Sequence, residues 1–199
     1  VYGEILSEVS NENQEEIATI LEQTEKLDFL IQSLVKLSRM ESGIIAVHSE
    51  DTTIKQMLES IQQQFNVKVR EKNITLSLCD TDLHVRCDSK WTVEALGNIV
   101  DNAIKYTACG GNVQIKVEQY SFFVKIDIID DGIGIEKEEI PKIFGRFYRS
   151  LSVADQPGVG IGLFLAREII QAQKGYIKVT SKRGKGSTFS VFLPIAKKE

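Results

Sequence analysis

The sequence predicts an α/β two-layer sandwich, a mixed sheet packed on helices, preceded by a partial α-helical hairpin. Three observations carry this. Residues 13–41 repeat apolar or small side chains in alternating steps of three and four, the seam of a helix that pairs with another. Beyond residue 48 amphipathic helices alternate with strands of period two. The strands include hairpin-like pairs, and helices mixed with hairpins on one sheet give two layers. The expected division is residues 1–48 for the hairpin part and 49–199 for the α/β domain.

In the first part, Val1 to Glu8 reads as the tail of a helix and Ser10 to Asn13 as a turn. The long helix follows, with Ile17, Ile20, Thr24, Leu27, Ile31, Leu34 and Ser38 as its seam and Gly43 as its stop. In the second part, 54–65 is an amphipathic helix, 74–78 alternates as a strand, and 85–88 is a short strand or turn. A helix over 90–107 precedes two strands, 112–118 and 122–130. A glycine-rich stretch then opens a helix over 162–173, and strands 176–181 and 187–193 end the pattern.

Charged residues make up 26% and the hydrophobic class 42%, a globular balance that excludes a disordered chain. The formal charge of −4 argues against a dedicated nucleic-acid binder, which carries a basic surplus. Cys79, Cys87 and Cys109 have neither CxxC spacing nor an even count, and read as free thiols of a reducing compartment. No apolar run approaches the ~20 residues that cross a bilayer. The opening Val1-Tyr2-Gly3-Glu4 starts in mid-pattern and suggests a piece of a longer protein.

The chemistry begins in NIVDNAIKYT, residues 98–107. Glu94, Asn98 and Asn102 recur every four residues, drifting only ~40° per step, and Lys105 lies near the same stripe. Val93, Leu96, Val100 and Ile104 can face the core. The stripe offers oxygens suited to Mg²⁺ and a lysine suited to phosphate, although a solvated helix face has the same pattern. In IIDDGIGI, residues 128–135, a strand ends in Asp130, and Gly132 and Gly134 permit close approach or φ > 0. A buried carboxylate there can accept from an exocyclic amine and reject a ligand without that donor. IFGRFYRS supplies Phe144, Phe147 and Arg149 ahead of an aperiodic stretch, 150–157, that reads as a lid. GVGIGL, residues 158–163, offers backbone N–H groups to phosphate at a helix N-terminus. Its GxGxG spacing is not the GxGxxG of dinucleotide folds, and no GxxxxGK[ST] occurs.

In this order the segments resemble the ATP-binding catalytic domain of sensor histidine kinases, a branch of the GHKL ATPase superfamily. NIVDNAIKYT looks like the N box, DDGIGI the first glycine box, IFGRFYR the F box, GVGIGL the second glycine box, and GKGSTF the final strand motif. Upstream, LVKLSRMESG looks like the end of the second helix of the dimerisation and histidine-phosphotransfer hairpin. The resemblance implies ATP and Mg²⁺ as cofactors. It implies Asn98 as the Mg²⁺ ligand, Asn102 and Lys105 at the phosphates, and Tyr106 beside the adenine. It further implies Asp130 on the adenine amino group and Gly132 and Gly134 in close approach. Gly158, Gly160, Gly162 and Leu163 would form the phosphate cradle behind a lid begun by Phe144, Phe147 and Arg149, and Thr188 would support the adenine pocket. A response-regulator receiver domain and a homodimer through the hairpin are the implied partners. The implied location is cytoplasmic, in a bacterial protein whose membrane anchor would lie in segments upstream.

The H box that carries the phosphoacceptor histidine is expected upstream of Val1, so this stretch alone is not expected to phosphorylate itself. Neither His48 nor His84 has the H-box context, and both read as structural or surface residues. Within the same superfamily, an ATP hydrolase or conformational clamp is the alternative, with Glu94 activating water four residues before Asn98.

Overall fold

The computed structural model describes residues 14–41, 47–153, 156 and 158–196. The expected helix tail at 1–8, the turn at 10–13 and the stop at Gly43 lie outside these residues. The described residues belong to two compact units: helix α1 (Gln14–Glu41), with Gln156, Gly158 and Val159, to one, and 47–153 with 160–196 to the other. On α1 the apolar seam is exposed at Ile20, Leu27, Ile31 and Leu34.

The second unit runs β1 (Glu50–Thr53), α2 (Ile54–Glu71), β2 (Thr75–Leu78), β3 (His84–Cys87), α3 (Ser89–Tyr106), β4 (Asn112–Gln119), β5 (Phe123–Asp130), α4 (Gly162–Ala172), β6 (Tyr176–Ser181) and β7 (Ser187–Pro194). Five strands form one mixed sheet in the order β2-β4-β5-β7-β6. β2 is parallel to β4, and the other neighbours are antiparallel. β1 and β3 make a separate antiparallel pair.

Alternation decides which face of the sheet the helices cover. Val124, Ile126 and Ile128 of β5 and Phe189, Val191 and Leu193 of β7 are buried, as are Leu96, Ile99 and Val100 of α3 and Leu165, Ile169 and Ile170 of α4. Each such side chain contributes about 1.5–3 kcal/mol by leaving water. The outer face is polar in its middle and aromatic at one end. There Tyr176 and Phe192 stack with centroids 4.4 Å apart, and Phe123 meets Tyr176 edge-on at 5.4 Å.

Two elements differ from expectation. α2 continues to Glu71, six residues beyond the expected end at 65. Its last buried residue is Phe65, so burial does not extend it. The last turns instead make polar contacts with α3: Lys68 pairs with Asp101 at 2.6 Å, and Lys72, just past the helix, donates to the Ile104 and Lys105 carbonyls at 2.8 and 2.6 Å. β1 has no alternation long enough to be read from sequence, and it forms by pairing with β3.

Candidate nucleotide site

Helix α3 starts on Asp88, whose Oδ1 accepts from the Trp91 amide at 3.1 Å. Its far end is held by the Lys72 ammonium, a cation placed where the helix dipole favours it. Between these ends lies the polar stripe. Glu94, Asn98, Asn102 and Lys105 are all half-buried. Nδ2 of Asn98 donates to the Glu94 carbonyl at 3.0 Å, which fixes the amide so that Oδ1 is the free end to offer a cation. A Cβ on Gly162, in the first turn of α4, would sit 3.1 Å from that Oδ1. Glycine there lets α4 start directly against Asn98, and Leu163 follows half-buried.

Lys105 lies 4.9 Å from the centroid of the Tyr106 ring. Burial, and then the nearby Arg149 guanidinium, hold its ammonium below the usual lysine range, while Asp101 opposes this. Burial pushes the Tyr106 hydroxyl up. The Tyr106 carbonyl accepts from the Ile133 amide at 3.2 Å, so the end of α3 and the DGIG turn form one wall.

Asp130 ends β5 on its buried face. Its Oδ1 accepts from the amides of Gly132 at 2.9 Å and Ser187 at 3.2 Å. Burial, the largest influence, raises its pKa above the usual carboxylate range, although both amides oppose the shift. Next door, Asp131 points out to Asn112, whose backbone and side-chain amides donate to it at 2.9 and 2.8 Å. Those bonds hold Asp131 below the carboxylate range. Of the two adjacent carboxylates, only Asp130 is turned inward.

The glycines have a second reason to be glycines. A Cβ on Gly132 would lie 2.5 Å from the Tyr106 carbonyl oxygen, and one on Gly134, at φ +66°, would collide with the Lys182 carbonyl. The close approach at both positions is to the protein's own backbone. Gly160, at φ +77°, lies beneath Phe147 and Tyr148. Phe147 is itself at φ +59° and exposed. Phe144 sits 5.7 Å from the Arg167 guanidinium of α4, and Arg149 donates to the Val153 carbonyl at 2.9 Å. Gly158 has φ +142°.

Thr188 is not where the sequence reading puts it. β7 pairs Ser187 with Asp130 and Thr188 with Ile129. Because strand side chains alternate faces, Thr188 points to the outer face, away from Asp130. The residue beside Asp130 is Ser187, and the alternation Ser187, Phe189, Val191, Leu193 could have identified it. Sequence reasoning also missed Ser181, whose Oγ lies 3.0 Å from that of Ser187. The histidines lie apart from this site: His48 is exposed, and His84 contacts Asp51 at 2.7 Å on the β1–β3 pair.

Residues 87–197 match the family described as histidine kinase-, DNA gyrase B-, and HSP90-like ATPase. Among curated proteins the chain is 33% identical over 202 aligned residues to sensor histidine kinase WalK of Bacillus subtilis (strain 168), covering 97% of this chain and 33% of WalK. The chain thus spans about a third of the length of that relative. Among solved structures, the mycobacterial sensor histidine kinase MprB superposes with TM-score 0.66 at 26% identity, covering 74% of this chain and 97% of the other. Histidine kinase ThkA, solved in complex with response regulator protein TrrA, shares the fold with TM-score 0.77 at 22% identity, covering 94% of this chain and 52% of the other. A buried acceptor at the end of β5, glycine turns packed on the end of α3 and a match over more than half its length agree: the chain belongs to the histidine kinase-, DNA gyrase B- and HSP90-like ATPase family.

Proposed function

We propose that this chain is the ATP-binding module of a sensor histidine kinase. In the longer protein it would pass the γ-phosphoryl of ATP to a histidine on a dimerisation helix, and from there to an aspartate of a response regulator. The observation that carries the nucleotide half is the inward-facing Asp130, an acceptor bounded by Tyr106 and Gly132, at a site whose other side begins with Asn98 against Gly162. Asp130 would accept from the adenine amino group, with Tyr106 beside the ring and Gly134 shaping the turn. Asn98 would hold Mg²⁺ through Oδ1, an oxygen ligand of the kind that ion prefers, and the ion would supply neutralisation of phosphate charge. Asn102 and Lys105 would contact the phosphates, and Gly160, Gly162 and Leu163 would form the cradle closed by Phe144, Phe147 and Arg149. Catalysis by such a module is mostly positioning and electrostatics.

The kinase half is supported by the WalK and MprB similarities and by the exposed seam of α1, a surface suited to a second copy. The response regulator is the partner class implied by the ThkA complex. Location on the cytoplasmic side of a bacterial membrane belongs to the same reading.

Two measurements test it. Mg²⁺ with ATP or ADP should raise the melting temperature and GTP should do so much less; equal shifts would refute the role of Asp130. Radiolabelled ATP should leave acid-labile label on a chain extended upstream through the acceptor histidine. Steady phosphate release without such label would favour a hydrolase that uses Glu94.

A further inference from the structure

Helix α4 meets α3 at both of its ends, and only one of those ends is the candidate site. Its first turn stands against Asn98, where a Cβ on Gly162 would lie 3.1 Å from Oδ1. At the other end Gln173, the residue that closes the helix, is 4% exposed although its side chain is an amide. A buried amide without partners is costly, and this one is engaged through both its oxygen and its nitrogen. The Asp88 backbone amide donates to Oε1 at 2.6 Å, and the Thr92 hydroxyl lies 3.2 Å from the same oxygen. On the other side Nε2 donates to the Ile169 carbonyl at 3.2 Å. These partners fix which way round the amide sits, since a backbone N–H can only give and a carbonyl can only receive.

Asp88 is the N-cap of α3, and its carboxylate is committed elsewhere: Oδ1 accepts from the Trp91 amide and Oδ2 from the His48 amide, both at 3.1 Å. Gln173 thus grips the start of α3 from the end of α4. Between the two ends the buried side chains are apolar, among them Leu96 and Ile99 of α3 and Leu165, Ala166 and Ile169 of α4. Apolar packing is non-directional and leaves helices free to slide, whereas a hydrogen bond fixes position. With eleven residues α4 is a rod about 16 Å long, so a shift at its last turn reappears at its first.

We propose that Gln173 is a positioning residue for Mg²⁺-assisted nucleotide binding: by pinning the end of α4 to the start of α3, it sets where the first turn of α4 stands against Asn98. The inference rests on the reading of Asn98 as the Mg²⁺ ligand. Gln173 stands at the opposite end of α4 from Gly162 and acts only through the placement of the helix.

The readout is the ratio of ATP affinities with Mg²⁺ and with EDTA, measured by titration calorimetry below the melting onset of each variant. A residue that merely supports the fold would weaken both affinities alike and leave the ratio unmoved. Gln173→Met keeps the length and bulk of the side chain without its hydrogen bonds, and should lower the ratio about fivefold, the factor one neutral hydrogen bond is worth. Gln173→His, as neutral imidazole, again offers one acceptor and one N–H and should restore most of the ratio. Thr92→Val strips one contact from Oε1 and leaves Gln173 in place; it should lower the ratio in the same sense, and it serves where Gln173→Met melts too early to titrate. Asn98→Ala should remove the contribution of the ion, and adding Gln173→Met to it should change the ratio no further. An unmoved ratio in Gln173→Met, or an effect that persists undiminished beside Asn98→Ala, would overturn the proposal. So would Gln173→His behaving like Gln173→Met. If Mg²⁺ did not tighten ATP in the unsubstituted chain, or Asn98→Ala left its effect intact, the reading of Asn98 would fall and this inference with it. A ratio lost in Asn98→Ala but unmoved in the Gln173 and Thr92 variants would sink the inference alone.

Discussion

Lys72→Met removes the ammonium that closes the end of α3 while leaving an aliphatic stem of similar length. Two bonds are lost, to the Ile104 and Lys105 carbonyls at 2.8 and 2.6 Å. A hydrogen bond with one charged partner contributes about 1.5–3 kcal/mol net. Lys72 is half-buried, so water can reach part of the vacated space and replace some of that interaction. The two bonds share one ammonium, whose favourable position at the helix C-terminus is already part of the same gain. A net loss of about 2 kcal/mol follows for the pair, near the low end for one such bond and well below the sum of two. For a domain of this size each kcal/mol moves the melting temperature by about 2–4 °C, giving a drop of about 4–8 °C. Differential scanning calorimetry measures it, with Lys116→Met, an exposed lysine on the outer sheet face, as the control expected within about 0.5 kcal/mol of the parent. A Lys72→Met shift no larger than that of the control would refute the claim that Lys72 secures the helix end bearing Lys105 and Tyr106.

Asp130→Asn should raise stability at neutral pH while removing nucleotide binding. Burial raises the folded-state pKa of Asp130 above its unfolded value, so the folded chain holds that proton more tightly. Its contribution to stability is greatest below the unfolded pKa and is lost as pH rises through the folded one. The advantage of Asp130→Asn should therefore shrink as pH falls below the ordinary carboxylate range, and urea melts at neutral and acidic pH would expose a constant difference as a contradiction. Gly134→Ala and Gly184→Ala separate strain from crowding. Both positions have positive φ, at +66° and +72°, but a Cβ at 134 meets the Lys182 carbonyl whereas one at 184 meets nothing within 4 Å. Gly184→Ala should cost about 1 kcal/mol and Gly134→Ala distinctly more; equal losses in chemical denaturation would show that crowding is not what reserves position 134 for glycine.

Much of the sheet was legible because half-buried strands alternate and because β5 and β7 alternate over eight residues each. Helix α3 was legible from its helical period, with Leu96, Val100 and Ile104 four residues apart on its buried side. What sequence left out was whatever depends on a partner distant along the chain. The last turns of α2 are held by contacts from Lys68 and Lys72 to residues more than thirty positions away, and no local pattern in 66–71 announces them. At the site, the inward carboxylate could be chosen between Asp130 and Asp131 because one more step continues the buried alternation of β5. Thr188 was misplaced because the motif was read for chemistry, when one step of alternation separates it from Ser187. Ser181 gave no signal, since it meets Ser187 only once β6 lies beside β7.

The aromatic stack at the far end of the outer face also acts as a register lock. Tyr176 lies opposite Phe192, and Phe123 lies opposite Pro194, so these rings bind β5, β6 and β7 about seven residues from Asp130 and Ser187. A slip of one residue between β5 and β7 would exchange every inward side chain for an outward one. Thr188 would then stand opposite Asp130 on the buried face, and Phe189 would be turned outward. Rings that touch no part of the site thus determine which hydroxyl the site receives.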